Sequence, residues 1–239
     1  MYFLFSGEGA TDLGSGLPGP VIAEGDRYLH GPMTVLADRV IEARHGYSPL
    51  ESECCGYVSE HDVAARGHEL KAARKLLGLP GAKVPKETRY FFNTARLLAR
   101  FARDKGTERN EDVVAVLFRD SDGTASAGRG QWSNKWKSML DGFAEENFSR
   151  GVPMIPKPKS EAWIICALKA RPYVDCESLE ERSGNDDSPN SLKKELERIL
   201  GEPATRERLL TRIEDGSIDC HRIGMTSFRL FRERLEQVL

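Results

Sequence analysis

The stretch from Val113 to Gly123, VVAVLFRDSDG, constrains this chain more than any other. It begins as an apolar run rich in β-branched residues, with the length of a buried strand, and it ends in two aspartates followed by glycine. Side chains at positions i and i+2 of an extended chain point to the same side, so Asp120 and Asp122 can converge on one hard metal ion while Ser121 faces away. The stretch therefore predicts a central strand with a cation site at its carboxyl end.

Length and composition indicate an ordinary globular protein. The 239 residues suffice for one sizeable domain with an ample core. We predict a single domain over residues 1–239, with a helical insertion over about 28–105 and a helical region over about 191–239. The formal net charge of −2 gives no overall attraction to nucleic acid or to an anionic membrane, so any nucleic-acid contact requires a local basic patch.

The chain carries no sequence signal for a membrane or for secretion. No apolar run approaches the roughly 20 residues of a membrane span, and the first residues, MYFLFSGEG, do not resemble a signal peptide. We therefore expect a cytoplasmic protein without a membrane partner. The five cysteines include no C-x-x-C pair and no histidine at metal-ligand spacing, which predicts reduced structural thiols and no zinc site.

Hydrophobic periodicity predicts a chain that alternates strands with helices. Besides the central strand we predict strands near residues 2–6, 51–59 and 151–156. Helices are predicted over His30–His45, His61–Leu77, Lys86–Lys105, Trp132–Phe148 and Glu161–Ala170, and near Ser191–Leu200, Thr205–Glu214 and Thr226–Leu239. This order indicates an α/β fold with a mostly parallel sheet, in which functional residues gather at the carboxyl ends of the strands.

Two of the other predicted strands are also followed by acids. Glu8 comes directly after the first strand, with Asp12 four residues later, and Glu161 follows the strand VPMIP. Glu8 and Asp12 can equally be solvated acids of a turn. Glu161 can equally be a first-turn residue that suits the helix dipole, behind Ser160 as the N-cap.

Clustered carboxylates repel one another unless a cation neutralises them. The three strand ends together therefore predict Mg²⁺ or Mn²⁺ bound by Glu8, Asp120, Asp122 and Glu161, with some water ligands retained. Such metals activate water and stabilise the charge that develops in phosphoryl transfer.

Two further patterns have weaker implications. Gly14–Gly19 satisfies G-x-G-x-x-G, but it does not follow the strand directly and contains Pro18, so we interpret it as a loop and leave a dinucleotide site as the alternative. The helix over Lys86–Lys105 carries arginines at helical intervals, namely Arg89, Arg96, Arg100 and Arg103. We interpret them as a solvated basic face, with phosphate contact left open.

These motifs resemble those of a known family. G-E-G-x-x-D after the first strand, and D-x-D-G at the end of a later one, resemble the Toprim domain of topoisomerases, primases and OLD-family nucleases. S-E-A-W, from Ser160 to Trp163, resembles the P-x-x-E-x-W region of RloB-like proteins, which are often encoded beside an ATPase in bacterial anti-phage systems.

The resemblance implies a Toprim-like, Rossmann-like fold and assigns roles to its acids. Glu8 would act as general acid/base or metal ligand, Asp120 and Asp122 as the metal-binding pair, and Asp12 as the second acid of OLD-type sequences. No topoisomerase tyrosine or primase zinc module is visible, so we expect a metal-dependent nuclease in phage defence, with DNA or RNA as substrate and an ATPase as partner.

Cations next to a metal offset the charge of a scissile phosphate, and Lys157, Lys159 and Arg129 flank the acids in sequence. We expect these three to bind phosphate. Two other functions stay open: a non-catalytic subunit that docks on an ATPase or senses a ligand, and a small-molecule phosphoryl-transfer enzyme. A homo-oligomer is compatible with all three.

Overall fold

The structure is a computed structural model that describes residues 1–76, 88–121 and 132–239, without the side chains of residues 69–76. Its strands are β1 (Tyr2–Gly7), β2 (Gly14–Gly16), β3 (Ile22–Glu24), β4 (Tyr28–His30), β5 (Cys55–Val58), β6 (Val113–Phe118) and β7 (Gly151–Met154). Its α-helices are α1 (Pro32–His45), α2 (Glu60–Leu76), α3 (Arg89–Arg109), α4 (Trp132–Glu145), α5 (Ser160–Leu168), α6 (Leu192–Leu200), α7 (Arg206–Glu214) and α8 (Thr226–Val238). Each helix predicted from the sequence is therefore confirmed within a few residues.

The main sheet has the strand order β3-β5-β1-β6-β7. Strands β5, β1, β6 and β7 run parallel, and only the edge strand β3 is antiparallel to its neighbour. The predicted α/β fold with a mostly parallel sheet is confirmed. The chain passes from β1 to β5 on one side and later continues to β6 on the other, so the strand order reverses at β1, where α/β proteins bind ligands.

Strand β1 forms the centre of the core, and all six of its residues are buried. Because alternate side chains of a strand point to opposite faces, β1 contributes to an apolar cluster on each side of the sheet. Phe3 and Phe5 pack in the cluster that includes residues of α1, α5 and α8. Tyr2 and Leu4 pack in the cluster that includes residues of α3 and α4. Both faces of the sheet are thus covered by helices, which fixes the position of the strand ends.

The glycine-rich stretch does not form a dinucleotide-binding turn. Gly14–Gly16 is strand β2, which pairs antiparallel with β4 in a small separate sheet, and no helix begins within the motif. Our interpretation of this stretch as a loop was also wrong for these three residues.

The cysteines differ from the prediction of reduced thiols. Cys166, in α5, and Cys176 form a disulfide with a Cα–Cα distance of 5.3 Å, while Cys54, Cys55 and Cys220 are free. Disulfides are typical of oxidising compartments, so this pair does not support the expected cytoplasmic location. Within the described ranges, no helix combines the length and the apolar character needed to cross a bilayer.

Of the four arginines of α3 that we predicted to form a solvated face, Arg89 is exposed, whereas the other three are paired with one carboxylate. Arg96, Arg100 and Arg103 all make ion pairs with Glu146, which follows the last residue of α4. The side chain of Glu146 is only 8% exposed. Three guanidinium groups around one buried carboxylate lock α3 to the end of α4, and this contact occupies the cations that we had considered for phosphate binding.

Candidate metal centre

The end of β1 positions the first two acids. Gly9 has a φ of +82°, and its carbonyl accepts hydrogen bonds of 3.0 Å from the N–H groups of Asp12 and Leu13. A Cβ at Gly9 would come within 2.6 Å of Asp12 Oδ2, so the turn requires glycine both for its backbone angle and for the approach of this carboxylate. The turn therefore holds Glu8 and Asp12 on the same side of the sheet end.

Glu8 reaches across to the neighbouring strand. Its Oε1 accepts a hydrogen bond of 3.0 Å from the backbone N–H of Asp120, two residues after the end of β6. Its Oε2 lies 3.2 Å from Nη2 of Arg119. The predicted convergence of the ends of β1 and β6 is thus observed between these residues.

Ser160, the first residue of α5, contacts both aspartates. Its N–H donates to Asp120 Oδ1 over 3.0 Å, and its hydroxyl donates to Asp12 Oδ1. Our assignment of Ser160 as the helix N-cap was wrong, because Lys159 occupies the cap position and Ser160 uses its polar groups on the acids. The start of α5 is therefore a clamp that joins the ends of β1 and β6.

Glu161 brings the fourth carboxylate, in the first turn of α5. Its Oε2 is buried and has no hydrogen-bond partner within the described part of the chain. Burial raises the pKa of Glu161, the nearby Asp12 raises it further, and Lys159 opposes them. Because an unpaired buried carboxylate oxygen is costly, this atom requires a partner beyond the described residues, and a bound cation is one that would satisfy it.

The electrostatics of the four acids agree with one another. Burial is the largest cause of the raised pKa of Glu8, of Asp12 and of Asp120. At Asp120 the carboxylates of Asp12, Glu161 and Glu8 each raise the pKa further, and this pKa lies well above the ordinary value of 3.8. The raised pKa of each carboxylate means that its charged form is destabilised at this site. A divalent cation would stabilise the charged form of all four.

The donor set fits Mg²⁺ or Mn²⁺ in its chemistry. All four candidate ligands are carboxylate oxygens, the type that these hard ions prefer. In the described residues, however, no three of these four acids have ligand atoms that all lie within 4.8 Å of one another. Asp122, the second predicted aspartate of the pair, lies outside the described residues, so the ligand set that the structure shows is open.

A second group of potential metal ligands lies elsewhere in the chain. Asp219, Cys220 and His221 have ligand atoms that all lie within 4.8 Å of one another. They are consecutive residues, and the carboxylate of Asp219 already accepts a hydrogen bond from the N–H of His221. Burial, with the charge of Asp219, raises the pKa of the Cys220 thiol to about 12, so this sulfur keeps its proton and does not suit the hard metal that we predicted.

The predicted phosphate-binding lysines have acidic partners. Lys157 Nζ donates to Glu181 over 2.9 Å, and Lys159 Nζ donates to Asp186 over 2.6 Å. Lys159 is still close enough to Asp120 and Glu161 to interact with them electrostatically. Arg129, the third predicted phosphate ligand, lies outside the described residues.

Sequence reasoning missed Arg119, which precedes Asp120. Its guanidinium contacts Glu8 and also Glu60, over 2.9 Å, and it lies 3.9 Å above the ring of Tyr90. The sequence did contain a signal for this role, because a basic residue stands between an apolar strand and two acids. A buried arginine at such a position needs carboxylate partners.

A second missed residue is Lys135, in α4. It is 5% exposed, and its Nζ donates to the carbonyl of Ser121, in the turn that follows Asp120. A lysine within an amphipathic helix gives no sequence signal for such a position.

Comparisons with protein-family models, with curated proteins and with solved structures gave no match. The Toprim resemblance therefore rests on the short motifs and carries no family assignment. What the structure adds is geometric: acids from β1, from β6 and from α5 meet where the strand order reverses.

Proposed function

We propose that this protein is a metal-dependent nuclease of Toprim-like type, which hydrolyses phosphodiester bonds of DNA or RNA with Mg²⁺ or Mn²⁺. The observation that carries the proposal is Oε2 of Glu161, which is buried and has no hydrogen-bond partner among the described residues, beside three further carboxylates of raised pKa. The location at the reversal of strand order, where α/β proteins bind ligands, supports it. Action in phage defence with an ATPase partner is implied by the motif resemblance alone.

Each acid has a distinct position in the proposed mechanism. Asp120, Asp12 and Glu161 would hold the cation, with Asp122 as a further ligand predicted from the sequence. When bound, the metal supplies an activated water and stabilises the charge that develops on the phosphate. Ser160 keeps Asp120 and Asp12 in place through its two hydrogen bonds.

Glu8 is the residue best suited to move a proton. The pKa of Glu8 is raised toward neutral pH, and a carboxylate whose pKa lies nearer the working pH is more effective as a general base and acid. Arg119 opposes that shift and fixes Oε2 of Glu8 at 3.2 Å. The hydrogen bond from Asp120 and the contact with Arg119 orient Glu8, so that its ionised form would accept a proton from a water and return it to a leaving oxygen.

The decisive experiment is cleavage of end-labelled DNA and RNA, single- and double-stranded, by the full chain with Mg²⁺ or Mn²⁺. We expect Asp120→Ala and Glu8→Ala to lose activity by about 100-fold or more, as when a group that stabilises transition-state charge is removed. Asp141→Ala, at an exposed aspartate of α4, is the matched control and should keep full activity. Equal cleavage by the wild type and Asp120→Ala would refute the proposal.

A calorimetric titration with Mn²⁺ separates this enzyme from a non-catalytic ATPase-docking subunit. A scaffold should show no heat that depends on Asp120, whereas a metal centre loses its binding isotherm in Asp120→Asn. A small phosphomonoester added as a third substrate tests the remaining alternative, a small-molecule phosphoryl-transfer enzyme.

A further inference from the structure

A cavity of about 220 Å³ lies between α2 and α3, beside the candidate metal centre. Its polar lining includes Glu60, His68, Tyr90 and Asn93, and its apolar lining includes Val63 and Leu97. The volume is below the roughly 300–1,000 Å³ of pockets that hold drug-sized ligands, so it suits a single planar ring system.

One side chain joins this cavity to the carboxylates. Glu60, on the cavity wall, accepts a hydrogen bond of 2.9 Å from Nη1 of Arg119. Nη2 of the same guanidinium lies 3.2 Å from Glu8. A single guanidinium therefore bridges the cavity wall and the candidate centre.

Tyr90 gives the cavity an aromatic wall with a fixed orientation. Its hydroxyl donates to Glu60, and Arg119 lies 3.9 Å from its ring centroid. Tyr90 nevertheless remains 40% exposed. An aromatic ring that is fixed by its neighbours and still open to solvent is the arrangement on which nucleobases stack in single-stranded nucleic-acid sites.

Asn93 adds an unused hydrogen-bonding group. It lies one helical turn after Tyr90, lines the same cavity, and its side-chain amide has no hydrogen-bond partner in the part of the chain that is described. An amide offers both a donor and an acceptor, the combination that reads the edge of a base.

We propose that this cavity binds a nucleobase of the substrate next to the scissile phosphate, with the base stacked on Tyr90 and its edge hydrogen-bonded by Asn93. The proposal deepens the nuclease function and rests on it for the identity of the ligand. It implies a substrate with unpaired bases near the cleavage site, because a base that is still paired cannot enter a cavity sized for one planar ring system.

The test uses nucleosides, which carry no phosphate, on the full chain without metal, so that it does not depend on catalysis. Binding of adenosine, guanosine, cytidine and uridine is measured by ligand-observed NMR titration, with ribose as the control that lacks a base. We expect at least one nucleoside to bind at least 10-fold more tightly than ribose. Tyr90→Ala should weaken that binding about 5- to 150-fold, the effect of losing one stacking contact.

Three further variants make the result specific. Tyr90→Phe keeps the ring and should retain binding, Asn93→Ala should weaken it, and Tyr47→Ala, at a tyrosine outside the cavity, should leave it unchanged. Equal binding of nucleosides and ribose, or equal effects of Tyr90→Ala and Tyr47→Ala, would overturn the proposal. If Tyr90→Ala fails to fold, unchanged binding in Asn93→Ala overturns the base-reading contact.

The nucleoside titration tests the cavity and the cleavage assay tests the nuclease, so either proposal can be rejected without the other. Base-dependent binding without cleavage would retain the nucleobase cavity and reject the nuclease. Cleavage that depends on Asp120 but shows no nucleoside binding would retain the nuclease and reject the cavity.

Discussion

The backbone N–H of Ser160 donates a hydrogen bond of 3.0 Å to Oδ1 of Asp120, although the two residues are 40 positions apart in the chain. Since the hydroxyl of Ser160 also binds Asp12, one small residue sets the separation of two carboxylates from different strand ends. The geometry of the candidate centre thus depends on where α5 begins.

Ser160→Ala removes the hydroxyl while the N–H to Asp120 remains. The pKa of Asp12 should rise further, because the hydrogen bond from Ser160 lowers it in the intact protein. We expect the unfolding free energy, measured by urea denaturation, to fall by about 1 kcal/mol. The affinity for Mn²⁺, measured by calorimetry, should fall as well. Ser178→Ala, at an exposed hydroxyl bound to Asp175, is the control. An unchanged Mn²⁺ affinity in Ser160→Ala would show that the hydroxyl of Ser160 does not position Asp12 for metal binding.

Without metal, Asp120 should make stability depend on pH in a defined direction. Burial and neighbouring acids raise its folded-state pKa above 3.8, so the folded protein keeps this proton to a higher pH than the unfolded chain does. The resulting stabilisation is present below pH 3.8 and is lost as the pH rises through the folded pKa. Asp120→Asn should flatten this decline in urea titrations, and Mn²⁺ should stabilise the wild type more at pH 8 than at pH 5. Identical profiles for Asp120→Asn and the wild type would contradict this.

Arg119→Ala should leave Glu8 and Glu60 without their shared cation. We expect a loss of about 2 kcal/mol, less than the roughly 3–5 kcal/mol of a fully buried pair, because both carboxylates are partly exposed. Arg119→Lys keeps the charge but cannot contact both acids at once, so its stability should be intermediate.

The same variant should also change the pH profile of cleavage. Arg119 lowers the pKa of Glu8, so its removal should move the acidic limb of the profile to higher pH. A stability loss without any shift of this limb would mean that Arg119 has only a structural role.

The pair Glu145 and Glu146 provides a matched test of the arginine cluster. Glu146→Gln leaves three arginines of α3 without their common carboxylate, and we expect a loss of about 2–3 kcal/mol in urea denaturation. Glu145→Gln, at an exposed neighbour in the same chain turn, should change stability by less than about 0.5 kcal/mol. Equal effects of the two substitutions would show that the cluster is not a net stabilising contact.

The disulfide can be tested by counting thiols. In denaturant without reductant, three of the five cysteines should react with a thiol reagent, namely Cys54, Cys55 and Cys220. Cys166→Ser should lower the unfolding free energy by about 2–3 kcal/mol, because the crosslink restricts the unfolded chain. Five reactive thiols, with unchanged stability in Cys166→Ser, would show that the bond does not form in solution.

The sequence predicted the α-helices, the parallel strands β1, β5, β6 and β7, and the approach of Glu8 to Asp120, because these follow from local patterns, whereas it missed the short strands β2, β3 and β4. Periodicity indicates helices and strands, and the carboxyl ends of parallel strands share one edge of the sheet. Glu8 and Asp120 could therefore be brought together without knowing any long-range contact.

The partners of the side chains could not be predicted in the same way. Lys157 pairs with Glu181 and Lys159 with Asp186, at separations of 24 and 27 residues that no local rule encodes. The disulfide was missed for the same reason, since the spacing of Cys166 and Cys176 does not reveal that the chain folds back between them. Charge and residue type show which groups need partners, whereas only the packed fold determines which partners they obtain.

The central position of β1 has a consequence for how the protein folds. This strand precedes both of its neighbours in the chain, and they begin only at Cys55 and Val113. The residues of β1, which are fully buried in the native state, stay exposed until β5 and β6 pair with it. Closing the long loops between these strands costs entropy before any contact is gained. The parallel sheet should therefore form late and slowly, in a step that depends on chain length and competes with aggregation through β1.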